Sequence, residues 1–295
     1  MNKKIIKTLP IGFKLKDYTI LSKIALGGFS NVYLASDKKN KIVAIKEFFP
    51  RMYVSRSEKN YDINVLKVNS KYYKISLKYF FNEAKILSST KHSNIVKVLN
   101  FFKAHNTVYM VTLYEKGSSL INYINYKKKQ NVKPLLSEIY IRKVFSQISN
   151  ALFTIHKNKL LYLDLKPANI FLRVDGTPIL LDFGAARKVL YLDIEKFIPM
   201  YTHGYAAPEI YLKKNLGPWT DIYGIGASIF TCMVGLPPPT AIERGSFDKM
   251  ENYYKILTSI YSESLVDLVR RCLSINYLNR PKSLLVLHKE IHEKL

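Results

Sequence analysis

Three polar side chains of different chemistry lie close together in the stretch LLYLDLKPANIFLR, residues 160–173. Asp164 offers a carboxylate, Lys166 an amine two residues later, and Asn169 an amide five residues after the carboxylate. Apolar residues precede and follow the three, so they are expected on one loop between buried elements. A carboxylate, an amine and an amide held this closely indicate chemistry on phosphate groups.

Other parts of the chain supply the remaining groups that phosphoryl transfer needs. Such a reaction requires a phosphate clamp, ligands for Mg²⁺ and a group that orients the attacking hydroxyl. The segment VAIK ends a predicted strand with Lys46, and Glu83 follows on the next predicted helix. Downstream, LLDFGAAR supplies Asp182, and GYAAPE supplies Glu209. These groups occur in a fixed order along the chain.

Short strands and one helix must position Lys46 and Glu83. Residues 17–49 alternate apolar and polar side chains around the polar turn DKKN, which predicts an antiparallel meander. Residues 50 to about 72 are polar and irregular, which indicates an insert or a long loop. The segment ISLKYFFNEAKILSS then predicts a helix with Glu83 at the border of its apolar stripe. The stripe consists of Leu77, Phe80, Phe81, Ala84 and Leu87.

The rest of the chain is mainly helical. Two further strands, VKVLNFFKA and TVYMVTLY, precede the helical segments SSLINYIN and SEIYIRKVFSQISNALFTIHKN, and Ser137 is a predicted N-cap. Residues 170–181 predict a hairpin around Asp175 and its following glycine. Asp221 follows Thr220 and could cap an apolar helix over 221–236. We therefore expect an N-terminal extension (1–16), a small lobe (17–114) and a larger lobe (115–295).

The amino-acid composition limits the classes of protein to which this chain can belong. With 48% apolar residues the chain can bury a large core, and two cysteines cannot form a disulfide framework. No signal peptide or transmembrane segment is expected from the apolar patterning. The 46 Lys and Arg against 22 Asp and Glu leave a charge of +24, which would attract an acidic partner or an anionic surface. Coding bias is the favoured explanation of this charge, and no nucleic-acid partner is expected.

Taken together, the motifs resemble those of eukaryotic-type protein kinases. The segments DGTPILLDFGAAR and GPWTDIYGIGA make the resemblance closest to bacterial Ser/Thr protein kinases, and it covers roughly residues 17–285. One such motif alone would be weak evidence, but the whole set is in the family's order. The resemblance implies an α+β, bilobal protein-kinase fold. Its N-lobe would be a small antiparallel β-sheet with one main helix, and its larger C-lobe mostly helical.

The resemblance also implies a role for each chemical group. Lys46 would hold the α- and β-phosphates of ATP and pair with Glu83. Asp164 would accept or orient the proton of the substrate hydroxyl, and Lys166 would neutralise charge on the transferred group. Asn169 and Asp182 would bind Mg²⁺, which Mn²⁺ could replace. Lys166 lies two residues after Asp164, which is the Ser/Thr-kinase pattern rather than the tyrosine-kinase pattern.

The resemblance implies two structural contacts as well. Glu209 would form a buried ion pair with Arg280. Asp221 would bond the backbone of the catalytic loop, in addition to its possible role as a helix cap.

Apart from Asn169, the nucleotide-binding residues implied by the family lie in the first 115 residues. The phosphate-covering loop falls on residues 25–30, where the family's three glycines correspond to Ala25, Gly27 and Ser30, so weakened ATP binding is expected. Gly28 restores some freedom to this loop. Thr112 occupies the gatekeeper position. The remaining implied nucleotide contacts are Val32, Ala44, Leu113, Tyr114 and Asn169.

The catalytic loop departs from the family in the two residues before Asp164. The family usually has histidine and arginine where this chain has Tyr162 and Leu163. Tyrosine is a plausible aromatic substitute, but leucine cannot bind a phosphate on the activation segment, because it has neither charge nor donor. The chain is thus interpreted as an active "non-RD" kinase whose activation segment, 182–209, needs no phosphorylation. Thr202 would contact the catalytic loop.

Two other functions remain open at this stage. The altered glycine loop and the missing arginine would also suit a pseudokinase-like binding scaffold, and a small-molecule phosphotransferase could share the fold. The retained set of Lys46, Glu83, Asp164, Asn169 and Asp182 favours an enzyme over a scaffold. Protein substrates with Ser or Thr are expected, in the cytoplasm of the producing cell or, after export as an effector, of a host cell.

Overall fold

The chain divides into two units in a computed structural model, which describes residues 8–66, 70–183, 187–188 and 202–292. The N-terminal unit comprises Met1–Lys91 and Val96–Glu115. The C-terminal unit comprises His92–Ile95 and Lys116–Leu295. No helix among the described residues has the length and apolarity that a membrane crossing requires.

The described part of the N-terminal unit contains a six-stranded sheet. Its strands run in the order β1-β2-β3-β4-β8-β7, and each pairs antiparallel with its neighbours. A separate hairpin joins β5 to β6. The strands are β1 (Lys14–Leu15), β2 (Tyr18–Leu26), β3 (Ser30–Asp37), β4 (Ile42–Phe48), β5 (Val54–Arg56), β6 (Ile63–Val65), β7 (Val98–Ala104) and β8 (Thr107–Leu113).

The predicted meander is confirmed, and its polar turn closes as the sequence indicates. The Asp37 carboxylate accepts the backbone N–H groups of Lys39 and Lys41, each at 2.8 Å. Asn40 adopts a positive φ of 59°, which asparagine tolerates better than most residues. Alternate side chains of β3 and β4 are buried, including Tyr33 and Ile45 at 0% exposure, so one face of the sheet carries the core.

Helix α1 (Ser70–Ser89) begins five residues before the predicted apolar segment. Phe80, Ala84 and Leu87 are buried as expected. Phe81 is 38% exposed, so its place in the buried stripe was predicted wrongly; its ring instead packs edge-on against Phe101 at 5.2 Å. Glu83, predicted at the border of the stripe, is 2% exposed.

The segment between β4 and α1 is more ordered than its polar sequence indicated. The insert, defined here as residues 50–66, contains the β5–β6 hairpin, and residues 67–69 lie outside the described residues. Arg56 of this hairpin pairs with Glu47 of β4 at 2.7 Å, with both side chains 0% exposed. The insert is therefore part of the N-terminal core, because moving it would leave a buried charge without its partner.

Helices dominate the C-terminal unit, and α5 lies at its centre. Helix α5 packs against α3, α8 and α9, and residues 220–233 are all buried. Burial on all sides explains why this segment is apolar throughout rather than along one stripe. The helices are α2 (Leu120–Lys129), α3 (Glu138–Lys157), α4 (Pro208–Leu212), α5 (Pro218–Val234), α6 (Ala241–Ser246), α7 (Met250–Leu257), α8 (Glu263–Cys272) and α9 (Leu284–His292), with a 3₁₀ turn at Tyr277–Asn279.

Two helix starts in this unit test the predicted caps. Ser137 precedes α3 and accepts the N–H of Tyr140 at 3.3 Å, which confirms it as the N-cap. Asp221 does not cap α5, because that helix starts three residues earlier, at Pro218, after Gly217. Proline is well suited to the first helical position, where its missing N–H costs nothing. The Asp221 carboxylate therefore does not cap the helix. It accepts hydrogen bonds from the backbone before Asp164 instead.

Short strands complete the C-terminal unit. The hairpin predicted over 170–181 is confirmed, with Gly176 at a φ of +80° in its turn. Gly117 is also required, because its φ is +150° and an added Cβ would lie 1.9 Å from the carbonyl oxygen of Leu172. The strands are β9 (Gly117–Ser119), β10 (Leu160–Leu161), β11 (Ile170–Arg173), β12 (Pro178–Leu180) and β13 (Arg187–Lys188).

A buried ion pair links the start of α4 to the segment before α9. Arg280 donates from Nη1 to Glu209 Oε1 at 2.7 Å and from Nη2 to Oε2 at 3.1 Å. The two side chains are 0% and 4% exposed. Glu209 Oε1 also accepts the hydroxyl of Thr220 at 2.9 Å, and the guanidinium lies over the Tyr223 ring at 5.0 Å. A bidentate pair this well surrounded is costly to break by removing one partner.

We predict that Arg280→Met lowers the free energy of unfolding by about 3–5 kcal/mol, because the Glu209 carboxylate would stay buried without its cation. Urea unfolding followed by circular dichroism measures the change. The matched control is Arg270→Met, which breaks a pair with Glu251 whose side chains are 44% and 58% exposed. Exposed pairs contribute about 1 kcal/mol or less, so equal losses in the two variants would contradict the prediction.

Candidate active site

In the N-terminal unit, Lys46 and Glu83 form an ion pair. Lys46 Nζ lies 2.8 Å from Glu83 Oε1, with the side chains 15% and 2% exposed. Strand β4 supplies the lysine and α1 the glutamate, as predicted. The ammonium also lies 5.7 Å from the centre of the Phe80 ring. The amine is thus fixed in place but retains some exposure, so it remains able to contact a ligand.

The predicted nucleotide contacts share the less buried face of the sheet with Lys46. Val32 is the cross-strand partner of Lys46, and Ala44 that of Thr112. All four are half-buried, whereas the residues on both sides of Val32, Ala44 and Lys46, and the residue before Thr112, are buried. Because side chains alternate between the faces of a strand, the four lie on one face of three adjacent strands. Leu113 ends β8 and Tyr114 follows it, both half-buried.

The phosphate-covering loop is a tight turn between β2 and β3. Gly27 donates its N–H to the carbonyl oxygen of Ser30 at 2.8 Å, and a Cβ on Gly27 would lie 3.3 Å from that oxygen. A Cβ on Gly28 would meet no atom within 4 Å. Neither glycine has a φ in the left-handed region. Close backbone approach, rather than unusual φ, is therefore the reason for glycine at position 27. Ala25 lies in β2 opposite Val32.

In the C-terminal unit, three predicted residues, Lys166, Asn169 and Thr202, converge on the Asp164 carboxylate. Lys166 Nζ lies 2.6 Å from Asp164 Oδ2, and Asn169 Nδ2 donates to the same oxygen at 3.1 Å. The hydroxyl of Thr202 donates to Asp164 Oδ1 at 3.0 Å and accepts from Lys166 Nζ at 2.6 Å. Both carboxylate oxygens are thus oriented by neighbouring side chains.

Burial raises the pKa of the Asp164 carboxyl above its ordinary value. The positive charge and hydrogen bond of Lys166, with the hydrogen bonds from Thr202 and Asn169, act in the opposite direction. Desolvation therefore prevails over these stabilising partners. A carboxylate with a raised pKa is a stronger base, which suits a group that accepts a proton.

Asp182 follows β12 by two residues and is exposed. The next residue, Phe183, is 0% exposed and packs edge-on against Tyr162 at 4.9 Å. Tyr162 is itself 1% exposed, in agreement with the packing role predicted for it. This aromatic contact ties the segment that carries Asp182 to the catalytic loop. Most of the predicted activation segment, residues 184–186 and 189–201, lies outside the described residues.

The backbone before Asp164 is held by Asp221. One of its oxygens accepts the N–H of Tyr162 at 2.8 Å, and the other accepts the N–H of Leu163 at 2.7 Å. His156 Nε2 lies 2.7 Å from the first of these oxygens. Leu163 has a φ of +67°, a conformation that leucine rarely adopts, so these bonds stabilise a strained residue. Sequence analysis missed His156, because no motif connects it with Asp221.

Leu163 packs into an apolar cluster with Leu161 and the partly buried Leu216. It is 6% exposed. The position before Asp164 is thus filled by packing and presents no side-chain donor to a phosphate.

Comparisons with known proteins identify similar sequences over most of this chain. The serine/threonine-protein kinase ppk6 of Schizosaccharomyces pombe is 28% identical over 271 residues, covering 90% of this chain and 32% of that protein. Mitogen-activated protein kinase kinase kinase 19 of Homo sapiens is 26% identical, covering 91% of this chain and 19% of that protein. The chain therefore spans a third or less of the length of these relatives.

A solved structure described as PpkA-294 in its apo form is similar over most of the molecule. It has a TM-score of 0.85 and 29% identity, and the match covers 97% of this chain and 100% of that one. The family model for the protein kinase domain matches residues 18–291. Since that match extends over most of the chain, this protein belongs to the protein kinase domain family and has its α+β fold.

Proposed function

We propose that the protein is an ATP-dependent Ser/Thr protein kinase, which transfers the γ-phosphoryl group of ATP to protein hydroxyls. The observation that carries this proposal is the set of contacts around Asp164. A general base needs a fixed position and a suitable pKa, and Asp164 has both, since its carboxylate is held by neighbouring side chains and its pKa is raised. Phosphoryl transfer also needs a cation to neutralise charge, and Lys166 Nζ lies 2.6 Å from the carboxylate. A binding scaffold would have no need to keep a half-buried carboxylate in this state.

Lys46 and Glu83 would form the phosphate clamp. The ion pair at 2.8 Å holds the amine on the same sheet face as Val32, Ala44 and Thr112, which would contact the base of the nucleotide. Leu113 and Tyr114 would contact it at the end of β8. The turn at residues 25–30 would cover the phosphates with its backbone.

Asn169 and Asp182 would hold the metal. Amide and carboxylate oxygens are the ligands that Mg²⁺ prefers, and Mn²⁺ could occupy the same site. Bound Mg²⁺ would offset the negative charge of the triphosphate. Asn169 donates from Nδ2 to the backbone oxygen of Asp164 at 2.8 Å, which leaves its amide oxygen as the atom available to a metal.

Asp164 would orient the substrate hydroxyl and accept its proton at Oδ1 or Oδ2. Lys166 would stabilise negative charge on the transferred group. Thr202 contacts both side chains, so it could position a short Ser or Thr hydroxyl beside the carboxylate. This contact supports Ser/Thr specificity over tyrosine.

Leu163 supports activity that does not depend on phosphorylation of the activation segment. The family's phosphate-binding arginine is replaced by a leucine that is packed with Leu161 and Leu216. We infer that packing, or a partner, takes the place of the phosphate contact that this position cannot make. Coding bias remains the favoured explanation of the charge of +24, and an acidic protein partner or an anionic surface is the functional alternative. The buried free thiols Cys232 and Cys272 favour a cytoplasm, of the producing cell or of a host cell.

The transfer reaction is tested with labelled ATP, Mg²⁺ and a generic protein substrate. We expect label on the protein with wild type and a loss of at least 10²-fold in rate with Asp164→Asn, because an amide cannot accept the proton. The control is Asp175→Asn in an exposed turn, which should retain the wild-type rate. No transfer by any variant would support a binding scaffold instead. Transfer to metabolites alone would support a small-molecule phosphotransferase.

Independence from activation-segment phosphorylation is tested by phosphatase treatment. We expect treated and untreated protein to have the same specific activity within about twofold, since Leu163 offers a phosphate no hydrogen bond. Mass spectrometry of the treated sample verifies that phosphate has been removed. A large loss of activity after treatment would contradict this expectation.

The raised pKa of Asp164 predicts the pH dependence. The carboxyl must be ionised to accept a proton, so kcat/KM falls as pH decreases through its pKa. Thr202→Val removes one hydrogen bond that lowers this pKa, so the acidic limb of the profile should move to higher pH. Thr202→Ser keeps the hydroxyl and should leave the limb in place. Identical limbs for Val and Ser variants would show that another group controls it.

A further inference from the structure

The insert, residues 50–66, contacts the phosphate-covering loop directly. Arg51 donates its backbone N–H to the carbonyl oxygen of Gly28 at 3.0 Å. Phe49, the residue before the insert, donates in the same way to Phe29 at 2.9 Å. The Arg51 guanidinium also donates to Asn31 Oδ1 at 3.0 Å, at the start of β3. The tip of the loop is thus held by main-chain bonds from outside the loop.

Three aromatic rings continue this contact to α1. Tyr53 of the insert lies edge-on to Phe29 at the loop tip, with ring centres 6.5 Å apart. Its ring also stacks on Tyr72 in the first turn of α1, at 6.1 Å and 24°. Both distances fall in the range where aromatic pairs attract. Tyr53 therefore connects the loop to the helix that carries Glu83.

The insert can act as a support because it is itself fixed. Arg56 donates to Glu47 at 2.7 Å and to the carbonyl oxygen of Tyr61 at 2.9 Å. Tyr53 accepts the N–H of Leu66 through its own carbonyl at 3.0 Å, which closes the hairpin. Glu47 is next to Lys46 in β4, so the anchor lies beside the phosphate clamp.

We propose that Tyr53 is a positioning residue for nucleotide binding, which holds the phosphate-covering loop and α1 together through the Phe29 and Tyr72 rings. This inference rests on the proposed kinase function. The loop keeps one of three family glycines, and this change alone predicts weak ATP binding. A loop already held in its turn loses less conformational freedom when ATP binds, so the insert would recover part of that affinity.

The test compares Tyr53→Ala with Tyr53→Phe, which keeps the ring and removes the hydroxyl. In nucleotide-free protein, hydrogen exchange at the Phe49 and Arg51 amides should be faster in Tyr53→Ala, because these amides are the donors to the loop. In kinase assays the KM for ATP should rise roughly two- to tenfold, the range that corresponds to one aromatic pair, with kcat unchanged. Tyr53→Phe should match wild type in both measurements.

Each other outcome has a distinct meaning. An active wild type with the same KM for ATP in Tyr53→Ala overturns the positioning role and leaves the proposed function intact. Unchanged amide exchange in Tyr53→Ala overturns the physical link between insert and loop, whether or not the protein binds ATP. If Tyr53→Phe behaves like Tyr53→Ala, the rings are not the cause. A wild type that neither binds nor uses ATP refutes the proposed function, and with it the nucleotide role of Tyr53.

Discussion

The segment of the C-terminal unit that presents Asp164 depends on the carboxylate of Asp221. Its side chain is 0% exposed, and it accepts hydrogen bonds from two consecutive backbone amides in addition to its contact with His156. Those amides belong to Tyr162 and Leu163, and the latter has a left-handed φ. A conformation of this kind persists only where its surroundings compensate for its cost. The turn that presents Asp164 therefore exists because an acid from α5, 57 residues further along, holds it.

A second buried acid organises the N-terminal unit. Glu47 accepts hydrogen bonds from Asn31, Tyr33, Arg56 and Tyr109, at distances of 2.7 to 2.9 Å. Burial, with the negative charge of Glu47 adding to it, raises the pKa of both tyrosines, so their hydroxyls stay protonated and remain donors. A fully satisfied charge of this kind resists displacement. It fixes β4 at the residue next to Lys46, so the ion pair of Lys46 with Glu83 is attached to a rigid strand.

The sequence was most informative where the signal is local or where a motif is carried whole. Ser137 could be identified as an N-cap because its signal lies within four residues, and the ion pairs of Lys46 with Glu83 and of Arg280 with Glu209 followed from the family resemblance. The Glu47 network was not predicted, since its four donors come from three strands, β3, β5 and β8, and no motif links them. Asp221 was predicted in part: the family resemblance implied its bonds to the backbone of the catalytic loop, whereas the helix cap indicated by its local position is absent because the helix starts three residues earlier.

Burial of Leu163 stabilises the fold and, on the proposed function, also bears on how the kinase is regulated. At 6% exposure, and packed with Leu161 and Leu216, this position is apolar on the sides that these residues cover. A guanidinium placed there would lose its hydration, and it would need a phosphate or carboxylate nearby to recover that free energy. Leucine gains free energy from the same burial without any partner. If the protein is a kinase as proposed, leucine would replace a stabilisation that depends on phosphorylation by one that is present whenever the chain is folded.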